Sequence, residues 1–153
     1  MDVVSKDLRS KIMSNIRGRD TTPEKDIRKA LHHAGFRYRA CSKKYPGSPD
    51  IVLPKYYSVI FINGCFWHGH SDCSLFHFPK SNQKFWIKKI SRNCERDRQI
   101  IKHYKDKCWN VCVVWECAIR GNHKKQKIEG VVRQIIMWLE ETKESFLEIR
   151  SVR

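Results

Sequence analysis

The stretch FINGCFWHGHSDCSLF, residues 61–76, constrains the fold of this 153-residue chain more than any other segment. One short loop holds Cys65, His70 and Cys73, and Cys117 ends a later apolar segment. Three thiolates and one imidazole form the closed tetrahedral shell of a structural zinc site. Such a loop has little core of its own, so metal binding would supply the free energy that orders it. The pattern therefore predicts a zinc-held loop next to a strand that is remote in sequence.

Two alternatives stay open on the residues alone. His68 or His77 could replace His70 as the ligand, or the cysteines could simply be small buried apolar groups. The chain has seven cysteines and no secretory signal, so we expect reduced thiols rather than disulfides. Three further cysteines lie in apolar or helical patterns and are predicted to be buried: Cys94, Cys108 and Cys112.

Helical and strand-like segments alternate along the chain without repeats or linkers, which predicts a single domain spanning residues 1–153. Helices are predicted over residues 5–16, 21–35, 83–107 and 125–146, and strands over 36–40, 50–53, 56–62 and 109–116. Pro54-Lys55 is interpreted as a hairpin turn, and Thr21-x-x-Glu24 as a capping box. In the third helix these residues are predicted to face the core: Phe85, Ile87, Ile90, Cys94, Ile101 and Tyr104. The order favours an α/β fold, a mixed central sheet flanked by helices.

The charge indicates a polyanionic partner. The chain carries 31 Lys+Arg against 16 Asp+Glu, a formal net charge of +15. Phosphate contacts supply most non-specific affinity for nucleic acid, so DNA or RNA is the first expectation. No apolar run approaches the roughly 20 residues that a membrane helix needs. We therefore expect a cytoplasmic, nucleoid-associated protein without a membrane partner.

Catalytic candidates are few. Asp50 opens a strand where a nuclease places a carboxylate for Mg²⁺, although such an aspartate could equally cap the turn. His68 is a candidate general base, and Asp97 could orient its imidazole. Glu24 could be an N-terminal helix carboxylate only, or contact a metal through water.

Together these segments resemble the very short patch repair endonucleases, the Vsr family, which nick DNA beside a T:G mismatch. The resemblance rests on LRSKIMSNIRGRDTTPE, PGSPDIVL, VIFINGCFWHGHSDC, FWIKKISRNCERDR and VVWECAIRG, which together cover about residues 5–121. It implies a restriction-endonuclease-like core with a structural zinc bound by Cys65, His70, Cys73 and Cys117. It also implies a monomer, an N-terminal helical arm of about residues 1–20 contacting double-stranded DNA, and contacts with other mismatch-repair factors.

The resemblance also assigns catalytic roles. Asp50 and the main-chain carbonyl of Ile62 would bind Mg²⁺, and Glu24 would support water on the metal. His68 would activate the attacking water with Asp97 as its partner.

Four side chains would enter the duplex at the mismatch, where weak stacking lowers the cost of insertion: Phe66, Trp67, Trp86 and Met13.

One position departs from the family pattern in its chemistry. The usual Thr-His before GCFWH reads Ile62-Asn63. A carbonyl ligand survives any side chain, but Asn63 cannot titrate near the leaving group and can only hydrogen-bond a phosphate oxygen. We expect slowed catalysis or an altered target. The alternatives are a sequence-specific nicking or restriction enzyme on the same scaffold, and a zinc-stapled DNA-binding protein without catalysis.

Overall fold

The computed structural model describes residues 4–15 and 20–151, and its centre is one mixed five-stranded sheet. The strands lie in the order β1 to β5, and the β1–β2 and β2–β3 pairs are antiparallel, whereas β3–β4 and β4–β5 are parallel. Their bounds are β1 Arg39–Ala40, β2 Ile51–Leu53, β3 Ser58–Asn63, β4 Asn110–Trp115 and β5 Phe146–Ile149. The predicted α/β class with a mixed sheet is confirmed.

Four helices accompany the sheet: α1 Lys6–Ser14, α2 Thr22–His33, α3 Gln83–Asp106 and α4 Lys124–Glu140. Strand side chains alternate between two apolar clusters, as the period of two requires. One cluster joins α2 and α4 to the sheet through residues such as Leu31, Ile135 and Ile60. On the other face Tyr104 of α3 packs with Val59 and Val111. The sheet is therefore covered on both faces.

The predicted core face of α3 was partly wrong. Ile90 and Tyr104 are buried, but Phe85 and Ile87 are 57% and 49% exposed. The sheltered stripe instead passes through these half-buried positions: Trp86, Asn93, Cys94, Asp97, Ile100 and Ile101. This offset arises because the N-terminal half of α3 packs against the polar 64–70 loop rather than against the sheet.

The cysteine expectations divide in the same way. Cys112 is buried in the sheet, Cys94 is only partly buried, and Cys108 is exposed. Cys108 lies beyond the end of α3 in a left-handed turn with φ of 58°, and this turn directs it to solvent.

The C-terminal segment also differs from its prediction. The last helix ends at Glu140 instead of continuing to Phe146, and β5 follows. Trp138 Nε1 donates to the Glu144 carbonyl at 2.9 Å and Thr142 Oγ1 donates to the Trp138 carbonyl at 3.1 Å. These bonds stabilise the turn that brings the apolar segment back beside β4.

Three predicted N-terminal features changed in detail. The Pro54-Lys55 hairpin is a 3-10 turn, Pro54–Tyr56, which closes at Tyr57 with a left-handed φ of 47°. Of the predicted strand 36–40 only β1 is formed. The first helix starts after Ser5, whose Oγ accepts the Leu8 amide, and it ends at Ser14; residue 16, its predicted end, lies outside the described residues.

One end of the sheet collects the polar segments. The carboxyl ends of β3 and β4 lie side by side, with Asn63 opposite Trp115. Because β2 runs antiparallel to β3, its first residues lie at this same end. Asp50, the GCFWH loop and the Glu116–Ala118 turn therefore converge there. Within residues 4–15 and 20–151, none of the helices has the length and apolar character needed to cross a bilayer.

Candidate active site and metal centre

The four predicted zinc ligands form one cluster. The candidate ligand atoms of Cys65, His70, Cys73 and Cys117 all lie within 4.8 Å of one another. His70 Nδ1 is 3.6 Å from Cys117 Sγ. One sulfur and one nitrogen ligand of a tetrahedral zinc ion are about 3.6 Å apart, given the usual bond lengths. The donor set and its spacing fit a tetrahedral metal ion.

The environment of His70 also fits a ligand. Its ring is 3% exposed and stacks on the Trp115 indole with centroids 4.0 Å apart. Its Nδ1 is the nitrogen that faces the Cys117 thiol, whereas its Nε2 is buried and makes no hydrogen bond with the described residues. Burial and the nearby Arg150 charge lower the pKa of His70, although the charge of Glu148 acts in the opposite direction. The lowered pKa favours the neutral imidazole, which is the form that binds metals. Neither His68 nor His77 belongs to the cluster.

The thiols are held by the sheet ends. Cys65 follows β3, and Cys117 lies in the turn after β4, where its Sγ accepts the Ser151 amide at 3.5 Å. Burial raises the pKa of Cys65. Burial also raises that of Cys117, but the Ser151 amide and the neighbouring thiols outweigh it, so its pKa is lowered overall. Cys117 is thus the thiol best prepared to bind as thiolate.

Four of the five predicted catalytic residues line one cavity of about 560 Å³, and the exception is Asp97. Its wall includes Glu24, Asp50, Ile62, Asn63 and His68. The main-chain amide of Ile62 donates to Asp50 Oδ2 at 2.6 Å, so this carboxyl group lies against the residue whose carbonyl is expected to share its metal. Asp97 lines an adjoining cavity together with Asn63 and His68.

Asp50 is the most perturbed acid of the cavity. Burial raises its pKa to about 7, with the negative charge of Glu24 acting in the same direction. The Ile62 amide and the Arg28 charge oppose this shift. A buried carboxylate with acidic neighbours is energetically costly without a cation, so the site favours a positively charged ligand.

His68 and Asp97 form the predicted pair. His68 Nδ1 is 2.5 Å from Asp97 Oδ2, and both side chains are about one fifth exposed. Cys94 Sγ donates to the His68 carbonyl at 3.4 Å. Gly69 has a φ of +58°, and a Cβ there would lie 2.8 Å from Ile90. The loop can approach α3 closely enough for the His68–Asp97 contact only because residue 69 is glycine.

Glu24 and Asn63 are buried at the back of the cavity, 3% and 8% exposed. Thr21 Oγ1 donates to Glu24 Oε1 at 3.0 Å, so the capping-box residues bond to each other instead of to backbone amides. The second oxygen, Oε2, has no hydrogen bond among the described groups and lies 3.7 Å from Arg28. Glu24 is therefore a buried carboxylate of the cavity wall, and its capping-box bond to the backbone is not formed.

The predicted intercalating aromatics form a half-buried cluster. The ring centroids of Phe66 lie 5.1 Å from Trp67 and 5.3 Å from Trp86, and those of Trp67 and Trp86 are 5.9 Å apart. Met13 is 37% exposed and lines a groove of about 620 Å³ that Trp67 and His68 also line. The four side chains flank the catalytic cavity.

Four residues around the site were not anticipated. Asn93 Nδ2 donates to the Trp67 carbonyl at 2.9 Å, and Lys89 Nζ lies 5.6 Å from the Trp67 ring centroid. Arg96 lines the cavities around His68, and Glu116 Oε2 accepts the Cys65 amide at 3.4 Å. Lys89, Asn93 and Arg96 lie three or four residues along α3 from Trp86, Asn93 or each other on the same side of the helix as Asp97. The i, i+3 and i, i+4 spacing could therefore have identified them from the sequence.

Comparison with known proteins identifies the family of this chain. The family description DNA mismatch endonuclease Vsr matches residues 1–75. The chain is 44% identical to the type II nicking enzyme V.NmeAIP of Neisseria meningitidis serogroup A, over 88% of this chain and 96% of the relative. It is 41% identical to the DNA mismatch endonuclease Vsr of Escherichia coli K12, over 90% and 87%. The type II nicking enzyme V.XorIIP of Xanthomonas oryzae is 41% identical over 77% and 86%. The chain therefore belongs to the Vsr family of DNA endonucleases.

Proposed function

We propose that this protein is a Mg²⁺-dependent endonuclease that nicks one strand of duplex DNA beside a T:G mismatch and leaves a 5′-phosphate, as in very short patch repair. One observation carries the proposal: Asp50, His68, Glu24 and Asn63 line a single cavity, and the aromatic cluster adjoins it. The net charge of +15 supports binding to the phosphate backbone. On this proposal the chain acts as one monomeric domain with a restriction-endonuclease-like core.

Magnesium fits the donors at Asp50. A carboxylate and a peptide carbonyl are hard oxygen ligands, and Mg²⁺ completes its shell with water and phosphate oxygens. Asp50 and the Ile62 carbonyl would hold the ion, which would stabilise the negative charge that develops on the scissile phosphate. The raised pKa of Asp50 supports this assignment, because a bound cation would relieve its buried charge.

His68 would act as the general base. Its Nδ1 faces Asp97, so Nε2 is the nitrogen that would take a proton from the attacking water. The Asp97 carboxylate would fix the ring orientation and stabilise the imidazolium that forms. As oxygen bonds to phosphorus, the bond to the 3′ oxygen breaks. Asn63 can donate a hydrogen bond to a phosphate oxygen but no proton to the leaving oxygen, which solvent would therefore protonate.

The aromatic cluster would act as the mismatch sensor. Phe66 meets Trp67 and Trp86 edge to face, all three rings are partly exposed, and Met13 lines the same groove as Trp67. Insertion requires unstacking, which costs least at a mismatched step. Recognition would then depend on the deformability of the duplex as well as on its bases.

Zinc would serve only as structure. Three thiolates and one imidazole fill a tetrahedral shell and leave no open position for substrate. The ion would fix the Cys65–Cys73 loop, whose intervening residues supply His68, Phe66 and Trp67.

A sequence-specific nicking enzyme on the same scaffold is the second candidate. It is favoured by the names of several relatives, such as V.NmeAIP and V.XorIIP, which are type II nicking enzymes. Cleavage of T:G and T:A duplexes in several sequence contexts separates the two. Dependence on pairing state supports mismatch repair, whereas dependence on sequence alone supports the second candidate.

Asp97→Asn is expected to lower the cleavage rate about 10²- to 10⁴-fold, because an amide cannot stabilise the imidazolium and can orient the wrong tautomer. Single-turnover cleavage and DNA binding are to be measured on the same duplex. Asp106→Asn is the matched control, since Asp106 is an exposed α3 carboxylate paired with Lys102. A rate for Asp97→Asn equal to that of the control would remove Asp97 from the mechanism.

Cleavage at limiting Mg²⁺ is expected to fall as the pH drops below about 7, by up to tenfold per pH unit, because protons compete with the cation for Asp50. Higher Mg²⁺ concentrations should move the profile to lower pH. Rates measured across the profile at two Mg²⁺ concentrations test this. A profile that Mg²⁺ does not move would contradict the role of Asp50 as the titrating ligand.

A further inference from the structure

Arg28 is unusual among the basic residues of this protein. Within the described ranges, 4–15 and 20–151, it is the only lysine or arginine that is buried, at 7% exposed. A buried guanidinium needs anionic or polar partners, because it keeps its charge at any accessible pH. Its surroundings therefore indicate what the charge is for.

The guanidinium lies among three potential metal ligands. Arg28 Nη2 is 2.8 Å from Asp20 Oδ1 and 3.7 Å from Glu24 Oε2, and Nη1 donates to Cys41 Sγ at 3.5 Å. The ligand atoms of Asp20, Glu24 and Cys41 lie within 4.8 Å of one another, a spacing that could hold a metal ion. Glu24 Oε2 is fully buried and makes no hydrogen bond with the described groups. These three residues, the Asp20–Glu24–Cys41 cradle, have the donor atoms of a metal site, but they surround the Arg28 guanidinium.

This cradle adjoins the proposed Mg²⁺ site. Glu24 and Cys41 line the cavity that Asp50 also lines, and the Cys41 amide donates to the Asp50 carbonyl at 3.3 Å. The charge of Arg28 lowers the pKa of Asp50, whereas that of Glu24 raises it. The guanidinium thus offsets the repulsion between neighbouring carboxylates.

We propose that Arg28 is a fixed cation that fills the Asp20–Glu24–Cys41 cradle in place of a metal ion and holds Glu24 beside the catalytic cavity. It is a positioning residue that acts through Glu24 and does not touch the substrate. Only the consequence for cleavage rests on the proposed function.

The test is to remove the guanidinium and measure metal uptake. Arg28→Gln leaves the three donors without their cation, and the thiol of Cys41 favours a soft ion, so Cd²⁺ is the probe. Zinc-loaded protein is dialysed to equilibrium against Cd²⁺. Arg28→Gln is expected to bind about one Cd²⁺ per chain more than wild type. Because both proteins share all other metal sites, the difference between them removes uptake at those sites. The double variant Arg28→Gln/Cys41→Ser should lose that excess. Equal uptake by Arg28→Gln and wild type would overturn the proposal.

Two further measurements keep the test decisive if Arg28→Gln folds poorly. Its thermal unfolding temperature should rise with added Cd²⁺ more than that of wild type, since an ion that binds only the native state stabilises it. Arg28→Lys, which keeps the charge, should take up no excess Cd²⁺. A Cd²⁺ response that is the same in Arg28→Gln and wild type contradicts the inference, as does excess uptake by Arg28→Lys.

Cleavage gives an independent readout. In Mg²⁺, Arg28→Gln should lower kcat at least about tenfold with KM for DNA little changed, because Glu24 moves while the DNA-binding surface stays intact. A rise in KM alone would assign Arg28 to DNA binding and contradict the positioning role. If wild type cleaves no DNA but Arg28→Gln still binds more Cd²⁺ than wild type, the proposed function is wrong, whereas the inference that Arg28 fills the cradle stands.

Discussion

Asp50→Asn is expected to reduce cleavage at least about 10³-fold while leaving DNA binding nearly unchanged. The Asn side chain can still accept the Ile62 amide, which donates to Asp50 at 2.6 Å, so the fold should persist. The Asn side chain cannot supply the anionic oxygen that Mg²⁺ requires. A metal ion lowers the activation free energy by several kcal/mol, and each 1.36 kcal/mol corresponds to a tenfold change in rate.

The same substitution should stabilise the metal-free protein. The folded-state pKa of Asp50, about 7, exceeds the ordinary value of 3.8, so its protonated form contributes stability that is fully present at low pH. That stability is lost as the pH rises between these two values, by at most about 4 kcal/mol. Asn cannot ionise but still has a desolvation cost, so at pH 8 we expect a gain of about 1–3 kcal/mol.

Single-turnover nicking, DNA affinity and thermal unfolding in EDTA check both parts of this prediction. Asp106→Asn serves as the matched carboxylate control, because Asp106 is exposed and pairs only with Lys102 in the described structure. Retained cleavage by Asp50→Asn would exclude Asp50 as the metal ligand. An unfolding temperature below that of wild type in EDTA at pH 8 would contradict a net cost of the Asp50 charge to the metal-free fold.

Cys117→Ser is expected to empty the zinc site and remove cleavage. Cys117 is the one ligand that the turn after β4 supplies, so its loss breaks the metal-mediated link between that turn and the loop after β3. Metal binding supplies about 10–16 kcal/mol to structural zinc sites in small peptides. Here the sheet has its own core, so we expect a loss of at least about 3 kcal/mol in the free energy of unfolding.

Three measurements follow the zinc site: metal content per chain, thermal unfolding and hydrogen exchange of the Cys65–Cys73 loop. Cys108→Ser is the control, because Cys108 is exposed and lies outside the cluster. The control should match wild type in all three. If Cys117→Ser keeps one metal ion per chain and its loop protection, Cys117 is not a ligand.

Sequence patterns predicted the sheet and the metal cluster because both depend on local chemistry. Runs rich in β-branched residues indicated β3 and β4. The Cys-His-Cys loop follows β3, so a fourth ligand such as Cys117 had to come from the end of a neighbouring strand. That the four donors meet could be predicted, since the carboxyl ends of adjacent parallel strands share an edge.

The errors came from tertiary context. The count along α3 assigned Phe85 and Ile87 to the core, but the partner of that half of the helix is a polar loop, so the sheltered face carries Asn93 and Asp97. β5 was not predicted, and its first residue, Phe146, was assigned to the last helix, because four apolar-rich residues carry no clear period. The Arg28 cradle joins residues from α2, its preceding turn and the segment after β1, and no spacing rule connects them.

A strand-resolved nicking assay tests the proposed activity most directly. It compares one duplex containing a T:G mismatch with the same duplex carrying T:A, in Mg²⁺ and in EDTA. We predict a single nick beside the mismatch in one strand, a 5′-phosphate on the product, at least about tenfold slower cutting of T:A, and no product in EDTA. Equal cutting of the T:A duplex, or cutting that persists in EDTA, would contradict a Mg²⁺-dependent mismatch endonuclease.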